Sequence, residues 1–131
     1  MKRSLSWTVG FGRTCEGGTQ RDPSWNDVVA HLEESCRNLG SVTLDIEELA
    51  GFELLTLQVV AETGKYALTL GVDDGDDYDV KVFCGDKNRG GIMHIQGDAV
   101  AGSAICSNFE IVVEIFKQLF DSGGVSPALM N

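Results

Sequence analysis

Proline is scarce in this chain, with two residues in 131, and no long polar tract accompanies that scarcity. Together these exclude disorder of the chain as a whole. No apolar run approaches the roughly 18–20 residues of a membrane-spanning helix. Met1-Lys2-Arg3-Ser4 is basic, but Leu5 to Gly12 alternates apolar residues with polar ones or glycine, so the continuous apolar core of a signal peptide is missing. Both absences favour the cytoplasm. The cysteines Cys15, Cys36, Cys84 and Cys106 show no C-x-x-C spacing. Neither a zinc knuckle nor a thioredoxin-type site is indicated, and four reduced, mostly buried thiols are expected. The phosphate-binding pattern G-x-x-x-x-G-K-[ST] is absent. Gly10-Phe11-Gly12 does not continue into G-x-G-x-x-G. The two histidines, His31 and His94, lack a surrounding motif, so no catalytic set and no cofactor are expected.

Positive charge is also scarce: ten Lys and Arg face twenty Asp and Glu, for a net charge of −10. The imbalance is local. Between residues 41 and 80 stand Asp45, Glu47, Glu48, Glu53, Glu62, Asp73, Asp74, Asp76, Asp77 and Asp79, against Lys65 alone. The flanking segments are nearly balanced. The densest point is Asp73-Asp74-Gly75-Asp76-Asp77-Tyr78-Asp79. A one-sign field of this kind repels nucleic acid and anionic lipid and speeds encounter with a basic partner. The loop fails the EF-hand pattern in both frames: from Asp73, position 3 is Gly75, and from Asp74, positions 5 and 6 are Tyr78 and Asp79. A looser calcium site and a merely solvated hairpin loop stay open beside the contact surface.

The length suits one domain over 1–131. Leu5, Trp7, Val9 and Phe11 alternate with small or polar residues and predict a strand. Residues 12–22, glycine-rich and charged, read as a loop. Ser24 with Asp27 fits a helix N-terminus. Trp25, Val28, Val29, Leu32, Cys36 and Leu39 then form one apolar stripe, stopped by Gly40. Four alternating runs follow, at residues 42–47, 52–61, 66–72 and 78–84, with Thr63-Gly64 as a tight turn. After a turn at 85–91 comes a strand at 92–96, while 97–106 is ambiguous. Ser107-Asn108-Phe109-Glu110 opens a second helix whose apolar face is Phe109, Val112, Val113, Phe116 and Phe120, widened by Ile115 and Leu119 and ended by Gly123-Gly124. Trp7 and Trp25 take core-facing positions. The expected fold is α+β: an antiparallel sheet of five or six strands with two helices packed on one face.

Several of these segments resemble small bacterial immunity proteins encoded beside secreted polymorphic toxins of the contact-dependent-inhibition or Rhs type. The resemblance is carried by Pro23-Ser24-Trp25 with Asp27-Val28-Val29, by Gly40-Ser41-Val42-Thr43-Leu44-Asp45, by Gly75-Asp76-Asp77-Tyr78, and by Phe109 with Val112-Val113 and Ile115-Phe116-Lys117. It spans residues 23 to 124. It implies a cytoplasmic, non-enzymatic inhibitor that binds its cognate toxin domain. Many such toxins are nucleases with basic clefts, which an acidic protein can occupy. The candidate toxin-binding residues are Asp73, Asp74, Asp76, Asp77 and Asp79 as charge partners, with Tyr78 as the aromatic anchor. The rival readings are a small-molecule or calcium-binding module and a small enzyme without recognisable motif. The oligomeric state is not legible.

Overall fold

The computed structural model describes residues 1–10, 13, 15–37, 39–48, 53–85 and 89–131. Phe11, Gly12 and Phe52, placed in strands or loops by the sequence pattern, lie outside the described residues, as does the centre of the 85–91 turn.

The fold is α+β, with nine strands and two α-helices among the described residues: β1 (Lys2–Val9), β2 (Glu16–Arg21), α1 (Trp25–Cys36), β3 (Leu39–Glu48), β4 (Glu53–Glu62), β5 (Lys65–Asp73), β6 (Tyr78–Val82), β7 (Ile92–Ile95), β8 (Asp98–Ala101), β9 (Ile105–Cys106) and α2 (Phe109–Ser122). The main sheet runs β2-β1-β3-β4-β5-β6, with the two-residue β9 also pairing with β5. Every one of these pairings is antiparallel. The expected α+β architecture is therefore present, with seven strands in the main sheet among the described residues where five or six were expected, while Ile92–Ile95 pairs with β8 in a separate two-stranded sheet.

Alternation along each strand builds the core. Leu5, Val42, Leu44, Ile46, Leu55, Leu57, Val59, Ala61, Leu68 and Leu70 sit on one parity and are buried. They meet Val28, Leu32 and Cys36 of α1 and Val112, Ile115, Phe116 and Leu119 of α2 in one cluster. Both helices thus pack on the same sheet face, where each fully buried aliphatic or aromatic side chain contributes about 1.5–3 kcal/mol. The second helix is centred on Val112, Ile115, Phe116 and Leu119, while Phe109, Val113 and Phe120 are half-buried flanks. Trp7 and Trp25 are half-buried and pack against the core, as their positions suggest.

The ends of elements follow local chemistry. Ser24 Oγ accepts from the Asp27 N–H, and the Asp27 carboxylate accepts from the Ser24 N–H, completing a capping box. Thr63 and Gly64 both have positive φ, as a two-residue hairpin turn between twisted strands requires. Gly123 closes α2 in the left-handed region, its N–H bonding to Leu119 O at 2.9 Å.

Three local expectations are corrected. Residues 16–21 form β2 rather than loop: Gly18 lies beneath the Trp7 ring, where a Cβ would sit 2.7 Å from the indole, so this edge strand carries glycine where alternation would call for a side chain. Gly40 does not stop α1. The cap is Arg37, and Gly40 already belongs to β3, wedged between Ser35 O and Thr8 O. The N-cap of α2 is Asn108, whose side chain accepts from the Glu110 N–H at 2.9 Å, rather than Ser107. The ambiguous 97–106 stretch resolves into β8, a single 3-10 turn at Gly102–Ala104, and β9. The hairpin of β7 and β8 lies beside β4 and β5, and Gln96 at its tip donates to Gly40 O and Ala61 O.

Candidate functional site

The helices cover one face of the sheet, and the opposite parity points away from them. Ser4, Ser6 and Thr8 of β1, Ser41, Thr43, Asp45 and Glu47 of β3, and Thr56 and Gln58 of β4 line that outward face by register. Short polar bonds cross it: Thr8 Oγ1 to Ser41 Oγ at 2.7 Å, and Thr56 Oγ1 donating to Asp45 Oδ1 at 2.8 Å.

The antiparallel order gathers the acidic residues at one end of the sheet. The connection from β3 to β4 brings Glu48 opposite Glu53. Leu54 pairs with Asp73, which pairs with Tyr78, so the loop between β5 and β6 stands at that same end. Glu62 is the exception. It lies at the other end, 3.6 Å from Lys65 across the Thr63-Gly64 turn.

Within the acidic loop the backbone is tied down by its own aspartates. The Asp74 N–H bonds to Asp77 O at 3.1 Å. Asp74 Oδ1 accepts from the Asp77 N–H at 2.7 Å and the Asp76 N–H at 2.9 Å. Asp73 Oδ1 accepts from the Gly75 N–H at 3.0 Å, and Gly75 itself has φ of 95°. Those donors, Asp77 foremost and then Asp76, hold the Asp74 carboxyl below the ordinary aspartate value. Asp73 and Asp74 therefore shape the loop, while Asp76, Asp77 and Asp79 are exposed carboxylates without a salt-bridge partner among the described residues. Tyr78 shares the outward face with Asp73, whereas Asp79, paired with Val72, points to the helix side. The six candidate residues thus sit in one hairpin but face two ways.

The structure adds a feature that charge patterning could not identify. Leu54, Tyr78, Val80 and Val82 are 39%, 69%, 50% and 41% exposed. All four belong to the outward parity at the β4–β6 side of the sheet. Tyr78, Val80 and Val82 form an apolar ridge along β6, with Leu54 on the same face across Asp73 from Tyr78, and an exposed apolar patch with a polar rim marks contact surfaces. The signal in the sequence is alternation itself: Tyr78, Val80 and Val82 alternate with Asp79 and Lys81, a pattern that does not say which parity is buried, and edge strand β6 presents the apolar parity outward. The Tyr78 ring lies over Gly71, whose missing side chain makes room for it. A hollow of about 740 Å³ lined by Lys2, Ser4, Arg21, Asp45, Glu47 and Leu54 continues the patch towards β1 and β2.

The histidines are apart from this surface. His31 stacks on Trp7 with ring centroids 3.6 Å apart, and His94 is exposed on β7. Burial pushes the Cys36 thiol up to about 12, which keeps it neutral and a poor nucleophile. Among the described residues, no three His, Cys, Asp or Glu are grouped to hold a metal ion, and no helix is long and apolar enough to cross a membrane.

The chain belongs to a protein family described as a family of unknown function (DUF6911), whose model matches residues 6–129. Its fold is similar to the crystal structure of a hypothetical protein from Neisseria gonorrhoeae, with a TM-score of 0.67 at 17% identity over 90% of this chain and 86% of that one. No curated protein matches the sequence.

Proposed function

We propose that this chain is an immunity protein that binds and neutralises a cognate secreted toxin domain, using the acidic end of its sheet. One observation carries the reading. Exposed carboxylates at Asp76 and Asp77 stand in the loop beside the exposed apolar side chains of Tyr78, Val80 and Val82, with Leu54 two strands away on the same face and Asp79 on the opposite face of β6. Carboxylates steer a basic partner and set its orientation, while desolvated aromatic and aliphatic anchors supply most of the binding energy. A nuclease fits such a surface, because a cleft that holds phosphates is basic and can be occupied by carboxylates. The resemblance of residues 23–124 to immunity proteins supports the same reading. In this account the protein acts in the cytoplasm by occlusion and performs no chemistry of its own.

The test is co-expression with the toxin domain encoded next to its gene. The expected result is a co-purifying complex and survival of cells that the domain alone kills. A neighbouring toxin that neither co-purifies nor is neutralised removes the proposal.

A further inference from the structure

Strand β6 is the outer strand of the sheet, and part of its outer edge is already covered. The Val82 N–H bonds to Asn131 O at 3.3 Å, the Asn131 N–H bonds to Val82 O at 2.9 Å, and the Cys84 N–H bonds to Leu129 O at 2.8 Å. Val82 therefore turns both backbone groups away from β5. In an antiparallel ladder this orientation recurs at every second residue. Val80 and Tyr78 share the parity of Val82, so their N–H and C=O groups also point outward, while Asp79 and Lys81 bond to Val72 and Leu70 of β5. Among the described residues nothing pairs with the outer backbone groups of Tyr78 and Val80. Unpaired edges of this kind template the addition of another strand.

We propose that the β6 edge at Tyr78–Val80 is a strand-addition site for an extended basic segment of the bound toxin. This rests on the function proposed above and names the contact by which it is achieved. The pleat dictates the segment's pattern. Residues set beside Tyr78 and Val80 place their side chains on the outward face, against the exposed phenol and isopropyl groups, and are apolar. The residue between them, beside Asp79, projects to the helix side and is Lys or Arg. The recognised pattern is apolar–basic–apolar, with further basic residues beside Asp76 and Asp77.

A second copy of this chain is the poorer occupant. Antiparallel self-pairing centred on Val80 sets Tyr78 against Val82, whose backbone groups are already bonded to Asn131. Centring on Asp79 opposes two Asp79 carboxylates. Centring on Tyr78 brings Val80 against the Asp76–Asp77 loop of the other copy. Like charges directly opposite are destabilising, so charge favours the basic partner.

The probe is a nine-residue synthetic peptide alternating valine and lysine, with a valine–glutamate peptide and a valine–lysine peptide N-methylated on its central amides as controls. Amide exchange by NMR is the readout on the intact chain. The valine–lysine peptide should slow exchange at Tyr78 and Val80 and leave the β2 edge unchanged. Val80→Pro, which lacks the edge N–H but suits an edge strand, should bind it about tenfold more weakly, the loss expected for a main-chain hydrogen bond. Val80→Ala, which keeps the N–H and loses only the isopropyl contact, should bind more tightly than Val80→Pro. The N-methylated peptide gives the same answer without any variant if Val80→Pro fails to fold. Equal binding of the glutamate or N-methylated peptide, or protection at β2 instead of β6, overturns the proposal. A toxin that is neutralised equally by Val80→Pro overturns strand addition and leaves the immunity reading standing, whereas a toxin not bound by the parent chain overturns that reading itself.

Discussion

Replacing Gly40 by alanine inserts one methyl group where the fold has no room for it. Gly40 is buried at the start of β3, directly after α1. An added Cβ would stand 2.4 Å from Ser35 O and 2.5 Å from Thr8 O, with Ser35 Cα at 2.9 Å. All three are backbone atoms, two on the last turn of α1 and one on β1, so no rotamer change can relieve the contact. Helix and strand must separate. Gly40 is not among the positive-φ glycines, so the effect is steric rather than conformational. Overpacking commonly costs about 1–3 kcal/mol, and contact with backbone on two sides places this case at about 3 kcal/mol. For a chain of this length, with an unfolding entropy of about 2.1 cal/mol/K per residue, the melting temperature should fall by about 11 °C. The urea midpoint should fall by about 2 M if m is about 1.5 kcal/mol/M. Gly90→Ala is the control, because among the described residues nothing lies within 4 Å of its Cβ position and its φ is not positive. It should shift stability by less than about 0.5 kcal/mol. Equal stability of Gly40→Ala and Gly90→Ala would refute the close approach of α1, β1 and β3.

Four further outcomes are expected. Phe116→Asp should unfold the protein at 25 °C, since it buries an unpaired charge at a fully buried position of α2; a cooperative melt near that of the parent chain would contradict the core described above. Asp76→Lys with Asp77→Lys should leave the melt nearly unchanged, because both are exposed and neither side chain caps the loop, yet should weaken toxin binding by several kcal/mol if the carboxylates meet cations in a desolvated interface. A thiol reagent should label exposed Cys15 first and half-buried Cys84 more slowly, leaving Cys36 and Cys106 unreacted until unfolding; rapid labelling of Cys36 would contradict its burial and its raised pKa. Carboxyl NMR titration should find Asp74 below the ordinary value of 3.8. Because its folded pKa is depressed, its stabilising effect is present above that value and lost as pH falls through the lower one, and Asp74→Asn should flatten stability against pH in that window.

The main helices and strands were legible because one face of each is buried and one is not. Period-2 alternation in β3, β4 and β5 and the 3–4 spacing in both helices report that burial directly. β2 escaped because Gly17 and Gly18 sit against Trp7 and need no side chains of their own. Gly40 was misread because a glycine after a helix has two explanations, a left-handed cap or a close approach, and only the second holds here. The acidic loop was legible as charge. Its division was not: hydrogen bonding commits Asp73 and Asp74 to the turn, and strand parity sends Tyr78 and Asp79 to opposite faces. The apolar ridge was hidden for the same reason, since Val80 and Val82 alternate like core residues and only their place on an edge strand exposes them.

The acidic end of the sheet is proposed to capture a basic toxin domain. That capture is tested most directly by the association rate of this chain with the neighbouring toxin domain, measured by stopped flow as ionic strength rises from about 0.01 M to 0.15 M, where the screening length shrinks from roughly 30 Å to 8 Å. A steep fall in association rate with little change in dissociation is expected, and a much shallower dependence for the Asp76→Lys, Asp77→Lys variant. An association rate independent of salt, or the same salt dependence in both proteins, would contradict it.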